Sequence, residues 1–236
     1  MLESSTPENF WRKFFGLMLG VLALLLIALA VLVLQTPIGE AWARILNVLF
    51  AANSVQALWY VTRAAGIVAY LLLWLSTAWG LAVSNKIFDP ILQRAFTYDA
   101  HEFLSLLAIG FTALHIVVLL ADRYLPFSVA QVLVPFAAPY RPVWVGVGVI
   151  GLYLTLLVTI TFYLRRWIGI KTFRAIHYLS FMAYAAVTLH GWFAGTDTPL
   201  RTTQLMYGGT ALVILFLTVF TILVGQPRAA RIPSEN

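Results

Sequence analysis

The chain has no cysteine. That excludes thiolate ligation of an iron–sulfur cluster, covalent attachment of a c-type heme and any disulfide framework, and it leaves the redox compartment open. Charge is scarce too: 10% of the residues are charged and 61% are hydrophobic, with the charges gathered in gaps between apolar runs. Such a composition excludes an ordinary water-soluble domain and implies an integral membrane protein. Acidic residues are fewer than basic ones, nine against fifteen, and lie at the ends of the apolar runs or outside them. Only Asp99 and Glu102 are placed to join a site beside a histidine. Histidine itself occurs four times.

Those four histidines bracket two apolar stretches, HEFLSLLAIGFTALH from His101 to His115 and HYLSFMAYAAVTLH from His177 to His190. On helices rising about 1.5 Å per residue, the members of each pair stand about 20 Å apart, so one mononuclear four-histidine site is excluded. Two separate two-histidine sites remain, one near each face of the membrane. A spacing of fourteen leaves two side chains about 40° apart around an ideal helix, while thirteen leaves about 140°. The second stretch must therefore be overwound locally, as by a 3₁₀ turn, or must present its imidazoles to different sides.

Along the chain, a polar start with Arg12 and Lys13 precedes an apolar span over Phe14–Leu34, too long for a cleaved signal core and therefore expected to stay as a first helix. Pro37–Asn53 has the amphipathic spacing of an interfacial helix or of a plain loop helix. Further spans are expected over Ala57–Val83, His101–Ala121, Val143–Leu164, Phe173–Ala194 and Leu205–Val224. The half-apolar connection from Asp122 to Pro142 suits a second interfacial or re-entrant helix. The expected fold is all-α: a polytopic membrane bundle of six transmembrane helices with one or two interfacial helices. Residues 1–56 form an N-terminal span with its interfacial helix, 57–225 the main domain, and 226–236 a short cytoplasmic tail.

The net charge of +6 is a matter of orientation rather than of nucleic acid. Arg12, Lys13, Lys86, Arg94, Arg165, Arg166, Lys171, Arg174, Arg228 and Arg231 fall on one side, and five basic residues on the other, which puts both termini in the cytoplasm of a multi-pass cell-membrane protein. The helices bearing the histidines then run parallel. His101 and His177 lie near the inner face, His115 and His190 near the outer.

A single histidine in a membrane helix commonly hydrogen-bonds a neighbouring helix or sits at the headgroups. Four confined to two parallel helices at matched depths argue for ligands. Zinc or copper would need further protein donors, which the sequence does not supply. Heme needs fewer, because its porphyrin gives iron four nitrogens and two imidazoles complete the coordination. Small residues between the histidines (Ala108, Gly110, Ala113; Ala183, Ala185, Ala186) leave room for a macrocycle, although they also serve ordinary helix packing. Arg63, inside the second span near its outer end, must snorkel or pair, and the propionates of an outer heme are a suitable partner. Arg174, one turn before His177, could serve the inner propionates, but it also counts among the inner basic residues. Gly146, Gly148 and Gly151 spell G-x-G-x-x-G inside an apolar span, away from the strand–helix turn where that fingerprint works, and are better explained by close helix packing.

The stretches TRAAGIVAYLLLWLS, HEFLSLLAIGFTALH and FRAIHYLSFMAYAAVTLHGWFAGTDT, with paired spacings of fourteen and thirteen, resemble the ferric reductase-like transmembrane domain of ferric reductases, NADPH oxidases and the heme subunit of bacterial methionine sulfoxide reductase systems. The resemblance covers roughly residues 57–225. It implies that His101 with His177, and His115 with His190, are the axial ligands of two b-type hemes, and that Arg63 lies near a heme propionate. Larger members continue into flavin and nicotinamide domains. Here about a dozen residues follow the last span, so the electron donor is expected to be a separate flavoprotein.

The expected activity is oxidoreductase-type electron transfer across the bilayer, from a cytoplasmic donor to an outer acceptor. No residue qualifies as a nucleophile or acid–base catalyst, so a conduit describes the protein better than a self-sufficient enzyme. Three alternatives stay open: a quinol-oxidising cytochrome b subunit fed by quinone in the bilayer, a membrane anchor with structural hemes, and a heme-free transporter or scaffold.

Overall fold

The computed structural model describes residues 57–224, which fold entirely as helices and connections. The expected span at Phe14–Leu34, the interfacial helix at Pro37–Asn53 and the tail at 226–236 lie outside the described residues. Helix α1 is Ala57–Ser84, α2 Arg94–Ala121, α3 Val129–Leu133, α4 Pro142–Ile168, α5 Ile170–His177, α6 Leu179–Ala194 and α7 Arg201–Val224.

Four of these, α1, α2, α4 and α7, are long and apolar enough to cross a membrane, with mean hydropathies of 1.8 to 2.5 over their most apolar windows. Their outward faces carry large apolar side chains: on α7, Leu212, Phe216 and Leu223 are each about two-thirds exposed. In water such a continuous apolar surface would be an aggregation hazard, whereas hydrocarbon solvates it without cost. The chain thus has the build of a membrane-embedded protein.

One expected span is divided. The stretch Phe173–Ala194 falls into α5, of 8 residues, and α6, of 16, neither of which alone reaches the roughly 20 residues a spanning helix needs. The break lies at Tyr178, directly after His177. There the Phe181 N–H bonds back three residues to the Tyr178 carbonyl at 3.2 Å, a 3₁₀-type closure. A closure of this kind overwinds the segment locally and supplies part of the rotation that a spacing of thirteen requires.

Helix ends follow local chemistry. Pro142 occupies the first turn of α4, where a missing N–H costs nothing. Gly169, at φ 81°, takes the backbone conformation that separates α4 from α5 and that a side chain would disfavour. After α2, the Asp122 carboxylate accepts from the N–H groups of Tyr124 (3.3 Å) and Leu125 (3.1 Å), which turns the chain. In the connection from Asp122 to Pro142, Ser128 and Gln131 form a reciprocal capping box at the start of α3. With only five residues, α3 is too short to enter the membrane deeply. Its Val132 instead packs with Leu119, Leu120, Phe127 and Ala138 as a plug over the C-terminal end of α2.

The bundle consists of two close hairpins. α1 lies along α2, and α4 lies along α6; α1 also meets α6, α2 meets α4, and α7 lies against α1. A second core joins α1, α6 and α7 through Tyr70, Leu81, Tyr184, Tyr207 and Ile214. The Tyr70 hydroxyl satisfies itself against Tyr184 (3.2 Å) and the Thr210 hydroxyl.

The three glycines of the G-x-G-x-x-G run sit within α4 and serve packing. A Cβ on Gly146 would strike the Phe136 ring and lie 2.6 Å from its backbone nitrogen, and one on Gly151 would lie 2.9 Å from Val187. Gly146→Ala is therefore expected to unseat the α3–α4 connection and destabilise the protein by about 1–3 kcal/mol. Thermal unfolding in detergent measures this, and an unchanged midpoint would show that Phe136 is not held there.

Candidate functional site

Each histidine of α2 meets one from the α5–α6 segment. The imidazole centres of His101 and His177 are 6.2 Å apart with planes inclined at 77°; those of His115 and His190 are 6.4 Å apart at 80°. The members of each pair are too far apart to hydrogen-bond each other, and they face a common gap. The sequence-derived pairing is thus the one the fold brings together, at two levels.

Three of the four rings are oriented in the same way. Nδ1 of His101 donates to the Ser76 carbonyl at 3.0 Å, Nδ1 of His115 to the Thr62 carbonyl at 2.8 Å, and Nδ1 of His190 to the Trp144 carbonyl at 3.0 Å. A carbonyl can only accept, so Nδ1 carries the proton, and Nε2 is left with a free lone pair. This is the arrangement in which a histidine is ready to bind a metal, with its other nitrogen fixing tautomer and orientation.

Glycines make the approach possible. Each accepting carbonyl belongs to a residue four positions before a glycine: Thr62 before Gly66, Ser76 before Gly80, Trp144 before Gly148. A Cβ at Gly66 would lie 2.9 Å from Nδ1 of His115, at Gly80 3.0 Å from Cε1 of His101, and at Gly148 2.5 Å from Nδ1 of His190. Gly66 and Gly80 are fourteen residues apart, the same interval as the two histidines they accommodate. That echo in α1 was available in the sequence. The small residues singled out there divide: Ala108 and Ala183 are buried, but Ala185 is exposed and Gly110 has nothing within 4 Å of a built Cβ.

The ring separations suit an iron held between each pair, as in a heme with two axial histidines. With iron about 2 Å from each imidazole nitrogen, and that nitrogen about 1.2 Å from its ring centre, two axial histidines place their ring centres about 6.4 Å apart. The two observed separations match. His115 and His190 line a cavity of about 200 Å³ whose wall includes Gly66, Gly148, Ala108 and several aliphatic side chains. Among the described residues no group of three or more His, Cys, Asp or Glu side chains could hold a bare metal ion. Glu102 does not complete the His101–His177 pair, because its carboxylate accepts from the Tyr163 hydroxyl at 2.8 Å.

Arg63 lines the cavity and is paired within the protein. Its Nε donates to Asp197 at 2.9 Å and its terminal nitrogen to the other carboxylate oxygen, a two-pronged bridge between α1 and the α6–α7 connection. Asp197 was not among the sequence-derived candidates, since no spacing rule links residues so distant in the chain. A guanidinium has five N–H groups, so those beyond this bridge still suit an anionic ligand group. Arg174 is exposed on α5, one turn before His177.

No family model, curated protein or solved structure matches the chain.

The Arg63–Asp197 bridge is part-buried, and a double-mutant cycle with Arg63→Gln and Asp197→Asn is expected to give a coupling of about 1 kcal/mol in thermal unfolding. Strictly additive losses would show that the bridge does not hold the two segments together.

Proposed function

We propose that the protein is a di-heme b conduit for single electrons across a membrane, with His101 and His177 holding an inner heme and His115 and His190 an outer one. The observation that carries this reading is the ring separation of 6.2 and 6.4 Å at two levels, with Nδ1 of three rings committed to carbonyls and Nε2 free.

In this reading α5 and α6 together make a fifth crossing, residues 14–34 a sixth, and both termini face the cytoplasm of the cell membrane. Bound hemes supply reversible one-electron redox change within a layer where a free charge is costly. The chain's own residues do the rest. The Ser76, Thr62 and Trp144 carbonyls hold the imidazoles in one tautomer and enrich them as donors. The aliphatic lining keeps water from the outer pair, and Arg63 offers its remaining N–H groups to propionates. A separate flavoprotein at the inner face is the donor, and a species at the outer face the acceptor. The resemblance to ferric reductase-like domains points the same way. The protein then has the role of an electron-transfer subunit of an oxidoreductase.

Purified protein is expected to contain close to two hemes b per chain by pyridine hemochrome, and each single His→Ala variant close to one. His115→Ala and His190→Ala should lose the same heme, so that combining them removes no more than either alone. A heme-free preparation, or variants that lose unrelated hemes, would defeat the pairing. Gly148→Ala, whose Cβ would push against His190, is expected to weaken outer heme retention about 10–100-fold, as loss of an outer-shell partner does. Gly110→Ala should leave heme content unchanged, and equal effects would show the glycine contact to be irrelevant.

A further inference from the structure

The short helix α5 carries charge that the bundle leaves unanswered. None of its 8 residues is buried. Gly169 alone separates it from α4, and α6 begins directly after Tyr178, so both of its ends are tied to bundle helices. Its inward face is set by Phe173, whose ring lies 6.0 Å from that of Phe162 and 5.3 Å from that of His177, with Ile176 half-buried on the same side. At about 100° per residue, Lys171, Arg174 and Tyr178 then form one stripe along the opposite, exposed face. Arg166, in the last turn of α4, is exposed as well, with its guanidinium 4.0 Å from the centre of the Trp167 ring. Lys171 and Arg174 enter no ion pair among the described residues. At this end of the bundle, where His101 meets His177, Asp89 is bridged to Arg94 and Glu102 accepts from the Tyr163 hydroxyl, which leaves Asp99.

Large apolar side chains are interleaved with these cations. Trp167, Ile170 and Tyr178 are each more than half exposed, as are Phe96 and Tyr98 near the start of α2. Beside water they would be a liability, whereas at a membrane boundary aromatic rings and basic residues are at home together. A helix of 8 residues is only about 12 Å long, and this one is anchored at both ends, so its cations stay at headgroup level rather than standing clear for an acidic protein. We propose that Arg166, Lys171 and Arg174 form a site for anionic phospholipid, with the headgroup phosphate on the exposed stripe of α5 and the acyl chains against Trp167, Ile170 and Tyr178. Guanidinium and ammonium groups together suit the oxygens of a phosphodiester. A negative headgroup such as phosphatidylglycerol meets the stripe with its full charge, whereas a choline headgroup brings a cation of its own against it. The site lies apart from the cavity and does not rest on the heme reading.

The test is native mass spectrometry of the purified full chain in detergent, titrated with dioleoyl phosphatidylglycerol or with dioleoyl phosphatidylcholine. Phosphatidylglycerol should bind about tenfold more tightly, and the preference should shrink as ammonium acetate is raised. Lys171→Gln combined with Arg174→Gln should weaken phosphatidylglycerol binding about tenfold or more, while Lys171→Arg combined with Arg174→Lys keeps both charges and should retain it. Arg174→Gln alone should cost about fivefold, so the site stays testable if the glutamine pair does not fold. Arg201→Gln, which removes an exposed cation at the start of α7, should change nothing. Equal binding of the two lipids overturns the proposal, as does an undiminished preference in the folded glutamine variants, which would leave the stripe to a partner such as an acidic protein. An equal loss in Arg201→Gln also overturns it, since net charge rather than this stripe would then govern binding. Displacement of the lipid by inorganic phosphate at equal concentration would reduce the site to one for free phosphate and overturn the lipid assignment.

Discussion

A histidine inside hydrocarbon has two ring nitrogens to satisfy, and if one is to meet a metal the other must find its acceptor among groups that the helices already use. Every carbonyl in a membrane helix accepts from the N–H four residues later, and water is not there to supply another. The solution here is a shared carbonyl: Thr62, Ser76 and Trp144 each accept an imidazole N–H as well as their helical bond. A second donor can reach such a carbonyl only if no side chain projects from the position four residues on. Gly66, Gly80 and Gly148 meet that condition, each at a helix-propensity cost of about 1 kcal/mol.

The architecture follows from this contact. Because the imidazoles of α2 reach into the backbone of α1, and His190 reaches into that of α4, the helices of each hairpin are held at close range, and the two hairpins face each other across the paired rings. The space between them belongs to whatever the free Nε2 atoms bind. The α5–α6 segment must then present both of its histidines toward α2 from positions thirteen apart, and the turn at Tyr178 supplies part of that rotation. Beside His115 and His190 the α3 plug and the Arg63–Asp197 bridge cover the cavity. Nδ1 of His177 has no such tie. The two levels are therefore built alike except at that ring.

Much of this was legible in the sequence because it depends on period and composition. Apolar runs of more than twenty residues declare membrane helices, and histidines at matched intervals on two of them declare two paired levels, whatever the packing. G-x-G-x-x-G could be dismissed as a dinucleotide fingerprint because it lies inside such a run. The glycines opposite the histidines were legible only in part: the fourteen-residue echo of Gly66 and Gly80 is a one-dimensional signal, but a glycine in a membrane helix has several uses, and Gly110 shows that proximity along the chain does not choose among them.

Sequence alone determined the helical class, the membrane setting, the identity of the four ring donors and the pairing of their depths, since each of these is a consequence of local hydropathy and fixed rise per residue. Tertiary structure decided which carbonyl holds each ring, that Arg63 is matched by Asp197, that the expected fifth span is broken at Tyr178, and that His177 alone lacks an anchor. Those outcomes depend on the rotation and register of one helix against another. Register is set by the sum of all contacts along two helices, and no single residue's character encodes it.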